Sequence, residues 1–427
     1  MNIIYSNKLL QLILEIKKNQ QPNTSVLIVL INRLKISSRV IFQCVFYWFK
    51  GQNVTIITGD TIRFGSGSFE LLELKLANLI PSLWQSKLNI EYIKPDHQGI
   101  SFRDLLKQEL KATENDTIEF ILTTHNILLI KYQINQCFMM TKVALTDAAK
   151  VYLQRQVVGL KKHQYLSALH AINLESPKLL NEGSVGDATL LIQSYIPGNT
   201  LPRSGSNAEN IEHIEHNFNI CADVAAKMNK QLTCDDQKWQ AYSDFKLLPQ
   251  HYLKHSEQLT LIIQYLLNFL ISSDRHSVHI HGDYHFGNII FDSSKTQVKG
   301  MIDFDRASPG GTDLHDTMML FLAMFTANPN GKNMYYGEVI NRLLEDNDDR
   351  LAFKRILNDI CLKFDYSLVD VKCMAIIVWL FLLQSAMREK ATVSRNWHTW
   401  MLDNTVPVVY EFCHNLIQTH GKQNPIQ

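Results

Sequence analysis

The sequence predicts an α+β fold made of a small β-sheet lobe, a large mainly helical lobe and an N-terminal α/β extension. Three changes of pattern along the chain support this prediction. Short apolar, β-branched segments follow one another between about residues 111 and 196. From residue 197 almost to residue 427, apolar residues recur at helical spacing instead. Residues 1–110 mix strand and helix patterns, and we treat them as a separate unit.

The composition is that of a soluble globular protein. Of the 427 residues, 46% are apolar and 19% are charged, and the formal net charge is +1. This balance gives no indication of a nucleic-acid or membrane partner. The most apolar run, Cys373–Leu383, is shorter than the ~20 residues that a membrane-spanning helix needs, so we expect a buried helix. Seven cysteines without a C-x-x-C pair favour reduced thiols and a cytoplasmic location, and the oligomeric state stays open.

The N-terminal extension contains strand and helix patterns in alternation. Segments 53–60 and 88–93 are rich in β-branched or alternating apolar residues and predict strands, whereas 69–84 has the spacing of a helix interrupted at Pro81. The loop 58–68, TGDTIRFGSGS, lacks the Gly-Lys-Ser/Thr ending of a P-loop. We therefore expect a turn or linker there, and the role of the extension stays unassigned.

The small lobe is predicted from five consecutive patterns. Short polar joints separate three β-rich segments, which predicts an antiparallel meander at residues 117–122, 126–133 and 137–145. A helix pattern follows over 146–169, with Thr146 or Asp147 as its N-cap. A further strand begins at Ala188 and ends before the break at Pro197-Gly198.

The large lobe, residues 197–427, is interrupted by one predicted hairpin. Segments 288–292 and 297–305 read as strands, and the polar residues 293–295 form the turn between them. Directly before this hairpin lies the segment 279–288, HIHGDYHFGN, which concentrates polar residues and has two interpretations.

The first interpretation rests on histidine. The order His279, His281, Asp283, His285 is similar to the metal-binding run of zinc hydrolases. However, Tyr284 separates Asp283 from His285, and no later histidine has a recognisable ligand context. A histidine cage is therefore the weaker hypothesis.

The second interpretation rests on oxygen donors. Asp283 and Asn288 lie on one loop, and a hairpin that returns beside its first strand brings Asp303 next to Asn288. Carboxylate and amide oxygens are ligands that Mg²⁺ prefers. An unpaired Asp283 carboxylate would then accept a proton from an attacking hydroxyl.

The paired motifs HGDYHFGN and MIDFD resemble those of the aminoglycoside phosphotransferase/choline kinase family, small-molecule kinases with a protein-kinase-like bilobal fold. The resemblance extends over about residues 113–400. It implies an ATP- and Mg²⁺-dependent enzyme that phosphorylates a hydroxyl of a small molecule, with Asp283 as the base and Asn288 and Asp303 as metal ligands. Supporting positions implied by the family are Asp305 at the metal, and His281 and Asp316 as structural residues.

The family also implies a nucleotide site in the small lobe. Its phosphate-binding lysine lies on the third strand, where this chain has Lys142, and Lys131 is the less favoured substitute. Its adenine contacts come from the segment between the lobes, which corresponds here to Gln193, Ser194 and Ile196.

Two positions depart from the family pattern. The first hairpin of the meander contains no glycine, and Gln156 stands where a helix glutamate usually pairs with the lysine. Gln156 is either a neutral hydrogen-bonding partner of Lys142 or a residue on a solvated helix face. This departure supports an alternative hypothesis, a nucleotide-binding pseudokinase or scaffold with little catalysis.

The acceptor molecule is not identified by the sequence. Acidic residues that read either as a solvated helix end or as a site for a cationic substrate are Glu345, Asp346, Asp348 and Asp349. Trp397 and Trp400 are candidates for lining a pocket, whereas the apolar surroundings of Trp379 indicate a core position.

Overall fold

The computed structural model of the protein describes residues 27–31, 54–58, 62–64, 67–69, 92–93, 117–122, 127–134, 137–144, 147–170, 173–185, 188–201, 211–234, 237–326, 335–348, 350–388 and 395–421. The chain divides into two compact units. The first unit contains Met1–Val157 and Pro177–Ile196, and the second contains Val158–Ser176 and Pro197–Gln427.

The first unit is built around β-sheets. Its strands are β1 (Leu27–Ile31), β2 (Val54–Thr58), β3 (Ile62–Phe64), β4 (Gly67–Phe69), β5 (Tyr92–Ile93), β6 (Thr117–Leu122), β7 (Ile127–Ile134), β8 (Cys137–Ala144), β9 (Leu179–Val185) and β10 (Ala188–Ser194). A seven-stranded sheet has the order β4-β3-β6-β7-β8-β10-β9, and a three-stranded parallel sheet has the order β1-β2-β5. The predicted meander β6-β7-β8 is confirmed, and its neighbours pair antiparallel.

Two features of this sheet were not expected from the sequence. The predicted loop 58–68 contains the hairpin β3-β4, and β3 pairs in parallel with β6 of the meander. Strand β9, whose sequence LLNEGSV is polar in its centre, pairs antiparallel with β10. The predicted helix at residues 69–84 lies outside the described residues. The division of the chain at residues 110 and 196 stays a prediction.

Helix α1 (Asp147–Leu169) follows the meander as expected. Ala149 and Leu153 on its inner face pack against Ile127, Ala144 and Leu191 of the sheet. Burial of a leucine or isoleucine side chain contributes roughly 1.5–3 kcal/mol, and this packing fixes the helix on the sheet.

The second unit is mainly helical. Its helices are α2 (Ile211–Gln231), α3 (Leu248–His251), α4 (Ser256–Ser272), α5 (His315–Met324), α6 (Tyr336–Leu344), α7 (Leu351–Phe364), α8 (Leu368–Arg388) and α9 (Arg395–Gly421). Short 3₁₀ turns lie at Gln240–Leu247, Leu253–His255 and Phe304–Arg306. The α+β class predicted from the sequence is confirmed by these two kinds of unit.

Helix α8 is the central core helix of the second unit. Among the described residues it alone has the length and apolar composition to cross a membrane, and 78% of its apolar window is buried inside the protein. Trp379 is fully buried in it, as the sequence indicated. Burial against the surrounding helices accounts for this composition.

Two short antiparallel strand pairs lie in the same unit. Strand β11 (Ser277–Ile280) pairs with β14 (Ser308–Thr312), and β12 (Ile289–Phe291) pairs with β13 (Val298–Met301). The second pair is the predicted hairpin. The loop between β11 and β12 carries the polar segment HGDYHFGN.

Candidate active site

The loop His281–Asn288 is held at its start by a buried carboxylate. Asp316, in the first turn of α5, accepts the backbone N–H of His281 at 2.8 Å and that of Gly282 at 2.9 Å. Burial raises the pKa of Asp316, while these two donors and the nearby His281 lower it. Each oxygen accepts one N–H, so Asp316 fixes the direction in which the loop leaves β11.

Gly282 is required by the same turn. Its φ is +77°, in the left-handed region, and a Cβ at this position would overlap the carbonyl oxygen of Arg306. Only glycine meets both conditions without strain. The close approach brings the backbone of Arg306 against the loop.

His281 links the loop to the hairpin through its ring. Its Nε2 lies 2.9 Å from the carbonyl oxygen of Ile302, which only accepts, so Nε2 carries the proton. Its Nδ1 then accepts the backbone N–H of Asp283 at 3.3 Å. Burial lowers the pKa of His281, which favours this neutral tautomer.

The carboxylate of Asp283 has polar neighbours on both oxygens. Arg306 Nη1 lies 3.1 Å from Oδ1, Asn288 Nδ2 lies 3.2 Å from Oδ2, and His285 Nε2 lies 3.6 Å from Oδ2. The expectation of an unpaired carboxylate is therefore wrong, because Arg306 forms an ion pair with it. Sequence reasoning missed Arg306; the one available signal was its place directly after the DFD triplet.

Asn288 and Asp303 are brought together by the hairpin. Ile289 pairs with Met301, and the backbone N–H of Ile302 donates to the carbonyl oxygen of Asn288 at 3.0 Å. The next residue, Asp303, has φ 69° and ψ 62°, a left-handed conformation that is uncommon outside glycine. Such backbone strain is concentrated at functional sites.

The donor set near the hairpin fits magnesium better than zinc. Because the amide nitrogen of Asn288 also donates to the carbonyl oxygen of Asp283 at 3.0 Å, the amide oxygen faces away from that residue. An amide oxygen and the Asp303 carboxylate are hard ligands, of the type that Mg²⁺ takes with waters and phosphates. Asp305 is buried, with one carboxylate oxygen 3.9 Å from Arg306 Nε. Within the described residues, no three His, Cys, Asp or Glu side chains are grouped to hold a metal.

Other histidines of the segment have different surroundings. His279 is buried, neither ring nitrogen has a hydrogen-bond partner among the described residues, and burial lowers its pKa to about 4. His285 accepts the N–H of Gly287 at 3.1 Å through Nδ1. Tyr284 is buried, and its hydroxyl donates to the carbonyl oxygen of Cys221 at 2.9 Å, which fastens the loop to α2.

The ring of Phe304 contacts two buried histidine rings. His163 of α1 stacks on it with ring centroids 4.4 Å apart, and His281 lies 4.7 Å away on another side. The backbone of α1 approaches equally closely, because a Cβ at Gly159 would overlap the carbonyl oxygen of Phe304. These contacts fix the residue that directly follows Asp303.

A family model described as "Phosphotransferase enzyme family" matches residues 145–332. This segment, less than half of the chain, is similar to that family. It contains the HGDYHFGN loop, the hairpin and Asp316, whereas Lys142 lies just before its first residue. No curated protein sequence matches the chain.

Several solved aminoglycoside phosphotransferases are similar to the chain at low identity. The enzyme APH(3'')-Id from Streptomyces rimosus is 16% identical, with a TM-score of 0.41 over 66% of this chain and 97% of its own. A thermostable mutant of APH(4)-Ia, in a ternary complex with ADP and hygromycin B, is 10% identical, with a TM-score of 0.46 over 72% and 98%. A putative aminoglycoside phosphotransferase from Ralstonia eutropha is 12% identical, with a TM-score of 0.45 over 73% and 97%. Likenesses of this degree assign neither nucleotide nor acceptor to this chain.

The two lysines considered for the phosphotransferase differ in their surroundings. Lys142 is buried on β8, where it pairs with Leu129 of β7 and Leu191 of β10. Lys131 instead places its ammonium 4.2 Å from the ring centroid of Tyr195, a cation–π contact. The assignment of Lys142 as the phosphate ligand stays a prediction.

Gln156 is buried on the inner face of α1, with 1% of its surface exposed. The alternative of a solvated helix face is therefore wrong. Buried amide groups are generally hydrogen-bonded. We therefore expect the side chain of Gln156 to interact with groups inside the protein and not with solvent.

The predicted adenine-binding segment follows β10. Gln193 is buried, and its Oε1 has no hydrogen-bond partner in the described ranges of the chain. Ser194 donates its N–H to the carbonyl oxygen of Lys178 at 2.8 Å and accepts the N–H of Lys178 at 2.7 Å through its hydroxyl. Within the part of the chain that the structure describes, the N–H of Ile196 takes part in no hydrogen bond. The adenine contacts of this segment stay a prediction.

Two residues of the acidic cluster considered for a cationic acceptor form ion pairs. Asp346 lies 2.8 Å from the buried Lys372, and Asp348 is 1% exposed and 2.5 Å from Arg350. Asp348 is thus not part of a solvated helix end. Asp349 and the side chains of Trp397 and Trp400 lie outside the described residues.

Proposed function

We propose that the protein transfers the γ-phosphate of ATP to a hydroxyl of a small molecule, with Mg²⁺ as the metal cofactor. The observation that carries the proposal is the position of the Asp283 carboxylate, which contacts both Arg306 and Asn288. It lies in the loop before the hairpin β12-β13, and Asp303 follows the second strand of that hairpin. The family of residues 145–332 supports phosphoryl transfer as the reaction class.

Asp283 acts as the general base. Arg306 and Asn288 each hold one carboxylate oxygen, so the carboxylate keeps one orientation before the acceptor arrives. A positioned base of this kind contributes ~10²–10⁴-fold to the rate, because proton removal is coupled to attack by the hydroxyl oxygen. His281 and Asp316 position the base through the loop backbone.

Asn288 and Asp303 hold the metal through oxygen atoms. Asn288 orients its amide by donating to Asp283, and the left-handed conformation of Asp303 sets the direction of the other ligand. Asp305 supports the metal side of the hairpin. When bound, Mg²⁺ neutralises charge that develops on the transferred phosphoryl group.

The nucleotide is bound by residues of the first unit. Lys142 contacts the phosphates, Gln156 serves as its neutral partner, and Gln193 and Ile196 contact the base. In this role Ser194 supports the segment through its bonds to Lys178. The proposed acceptor is a small hydroxylated molecule, and the proposed location is the cytoplasm.

The alternative, a pseudokinase or scaffold, is favoured by one observation. Gln156 is buried in the position where the family usually has a glutamate, so a neutral amide stands in place of that charged side chain. Tight ATP binding without phosphorylated product would support this alternative.

The test measures ATP consumption with panels of hydroxylated metabolites and aminoglycosides, for the wild type, Asp283→Asn and Asp274→Asn. Asp274 is an exposed aspartate just before β11 and serves as the matched control. We expect Asp283→Asn to lower kcat by ~10²-fold or more without a change in ATP affinity, because only proton acceptance is lost. Asp274→Asn retains activity. Equal turnover by the wild type and Asp283→Asn would exclude the proposed base.

A second measurement separates metal binding from catalysis. Calorimetric titration with ADP is repeated in Mg²⁺ and in EDTA for the wild type, Asn288→Ala and Asp303→Ala. We expect both variants to lose affinity in Mg²⁺ and to match the wild type in EDTA, because the missing oxygens act only through the metal. An affinity loss that is the same in EDTA would contradict the metal-ligand roles.

A further inference from the structure

The corner between β14 and α5 directly precedes the carboxylate that holds the candidate catalytic loop. We name residues 312–315 the α5 corner. Asp316 follows it and accepts the backbone N–H groups of His281 and Gly282. A displacement of the corner would therefore move Asp316, and with it the loop that carries Asp283. Side chains that fix the corner are accordingly candidates for positioning the base.

The hydroxyl of Tyr242 joins both ends of the α5 corner. Its oxygen accepts the backbone N–H of Thr312 at 3.0 Å and lies 3.1 Å from His315 Nδ1, and the hydroxyl oxygen of Thr312 is 3.4 Å away. Each of these three side chains is buried, with 0–1% of its surface exposed. Burial lowers the pKa of His315 to about 3, so its ring is neutral and can accept the Tyr242 proton at Nδ1.

The polar atoms of this contact are not explained by packing alone. A buried hydroxyl costs free energy unless it is hydrogen-bonded, and a phenylalanine would fill nearly the same volume as Tyr242. His315 carries a similar cost, because its Nε2 has no hydrogen-bond partner in the part of the chain that the structure describes. Buried hydrogen bonds supply what apolar contacts lack, a defined direction. The Tyr242 hydroxyl therefore orients the α5 corner.

Tyr242 is itself held in place by neighbouring elements. Its ring meets that of Phe381 of α8 edge-on, with ring centroids 6.4 Å apart. Gln384 of the same helix donates to a backbone carbonyl oxygen of the 3₁₀ turn that carries Tyr242, at 3.0 Å. The chain before this turn lies directly against β14, because a Cβ at Gly310 would overlap the carbonyl oxygen of Gln237. Tyr242 therefore has a fixed position relative to the corner.

We propose that Tyr242 and His315 are positioning residues for phosphoryl transfer. They act on Asp283 through Asp316. The connection runs from the Tyr242 hydroxyl to His315, along the backbone to Asp316, and from its carboxylate to the N–H groups at the start of the loop. The effect on turnover rests on the proposed function. The fixing of the loop does not, and it is measured separately.

The test compares three variants of the full chain with the wild type: Tyr242→Phe, His315→Leu and the double variant. Tyr265→Phe is the matched control, because it removes a tyrosine hydroxyl that contacts Cys373 and lies outside the α5 corner. Steady-state kinetics give kcat and the KM for Mg²⁺-ATP, with water as the acceptor. Hydrogen exchange followed by mass spectrometry gives the protection of the backbone amides in the segment 279–288. All measurements are made well below the melting temperatures of the variants.

We expect Tyr242→Phe and His315→Leu each to lower kcat by roughly tenfold, because small misplacements of a catalytic group have effects of this size. The KM for ATP stays at the wild-type value. The double variant loses little more than the larger single loss, because both residues belong to one hydrogen-bonded contact. Amide exchange in the segment 279–288 becomes roughly tenfold faster, since the loop opens locally more often. Tyr265→Phe keeps wild-type kinetics and wild-type exchange in this segment.

Several outcomes would overturn the inference. These are an unchanged kcat in Tyr242→Phe, losses that multiply in the double variant, or wild-type exchange in the segment 279–288. Faster exchange spread evenly over the second unit would also overturn it, because this would indicate lost stability and not lost positioning. If the wild type turns over no ATP, the proposed function fails, whereas the exchange measurement still decides whether Tyr242 fixes the loop.

Discussion

Acidification is expected to unfold the second unit because several of its buried histidines are neutral. Burial lowers the pKa of His163 to about 3, of His279 to about 4 and of His315 to about 3. In the unfolded chain these groups titrate near 6.5. The folded state therefore binds fewer protons than the unfolded state below pH 6.5.

The sign and size of the effect follow from this difference. A depressed histidine pKa means that stability is fully present above pH 6.5 and is lost as the pH falls toward the folded-state pKa. Each group costs about 1.4 kcal/mol per pH unit in that window, so three cost about 4 kcal/mol per unit. At pH 4.5 the loss is roughly 8 kcal/mol, comparable to the whole free energy of unfolding of a typical domain. His281, whose pKa burial also lowers, adds to the loss.

The assay is urea unfolding followed by tryptophan fluorescence at pH 8, 7, 6 and 5. We expect a constant midpoint between pH 8 and 7 and a steep decrease below pH 6.5. His163→Phe, which keeps a ring against Phe304, is expected to reduce the slope by roughly a quarter to a third. His251→Phe changes an exposed histidine and leaves the slope unchanged. An unfolding free energy that is flat from pH 7 to pH 5 would refute the reasoning.

Three further predictions concern single contacts. Arg306→Gln removes the ion pair with Asp283. Steady-state kinetics should show kcat reduced ~10–100-fold with little change in the KM for ATP. An unchanged kcat would contradict a role of Arg306 in positioning Asp283. Asp316→Asn replaces one acceptor oxygen by a donor, and denaturant unfolding should show a loss of ~1.5–3 kcal/mol, whereas wild-type stability would argue against the brace. Gly159→Ala would stabilise an ordinary helix by ~1 kcal/mol. Here the added methyl group overlaps the carbonyl oxygen of Phe304, so we expect a lower melting temperature than that of the wild type. A higher melting temperature would count against the close approach of the two backbones.

The elements that the sequence predicted best are those defined by neighbouring residues. The meander β6-β7-β8 and the hairpin β12-β13 were found because apolar alternation and short polar turns specify them locally. The return of the hairpin was enough to place Asp303 beside Asn288 before any coordinates. Strand β9 was missed because its polar centre, NEGS, carries no strand signal.

The contacts that the sequence did not reveal depend on distant parts of the chain. The ion pair between Asp283 and Arg306 joins residues from opposite ends of the hairpin region, and no local pattern specifies it. The burial of Gln156 was equally hidden, because α1 has apolar residues on two faces and the pattern did not show which face packs inward. The pairing of β3 with β6 joins segments more than fifty residues apart in sequence.

That pairing has a practical consequence for shortened forms of the protein. Because β3 covers Phe120, Ile121 and Leu122, a chain cut at residue 111 would leave the backbone N–H and carbonyl groups of β6 without these partners. Unpaired backbone groups along a strand are a template for another chain, and they promote aggregation. A shortened chain should therefore begin before Ile62, because a later start removes β3 and promotes aggregation.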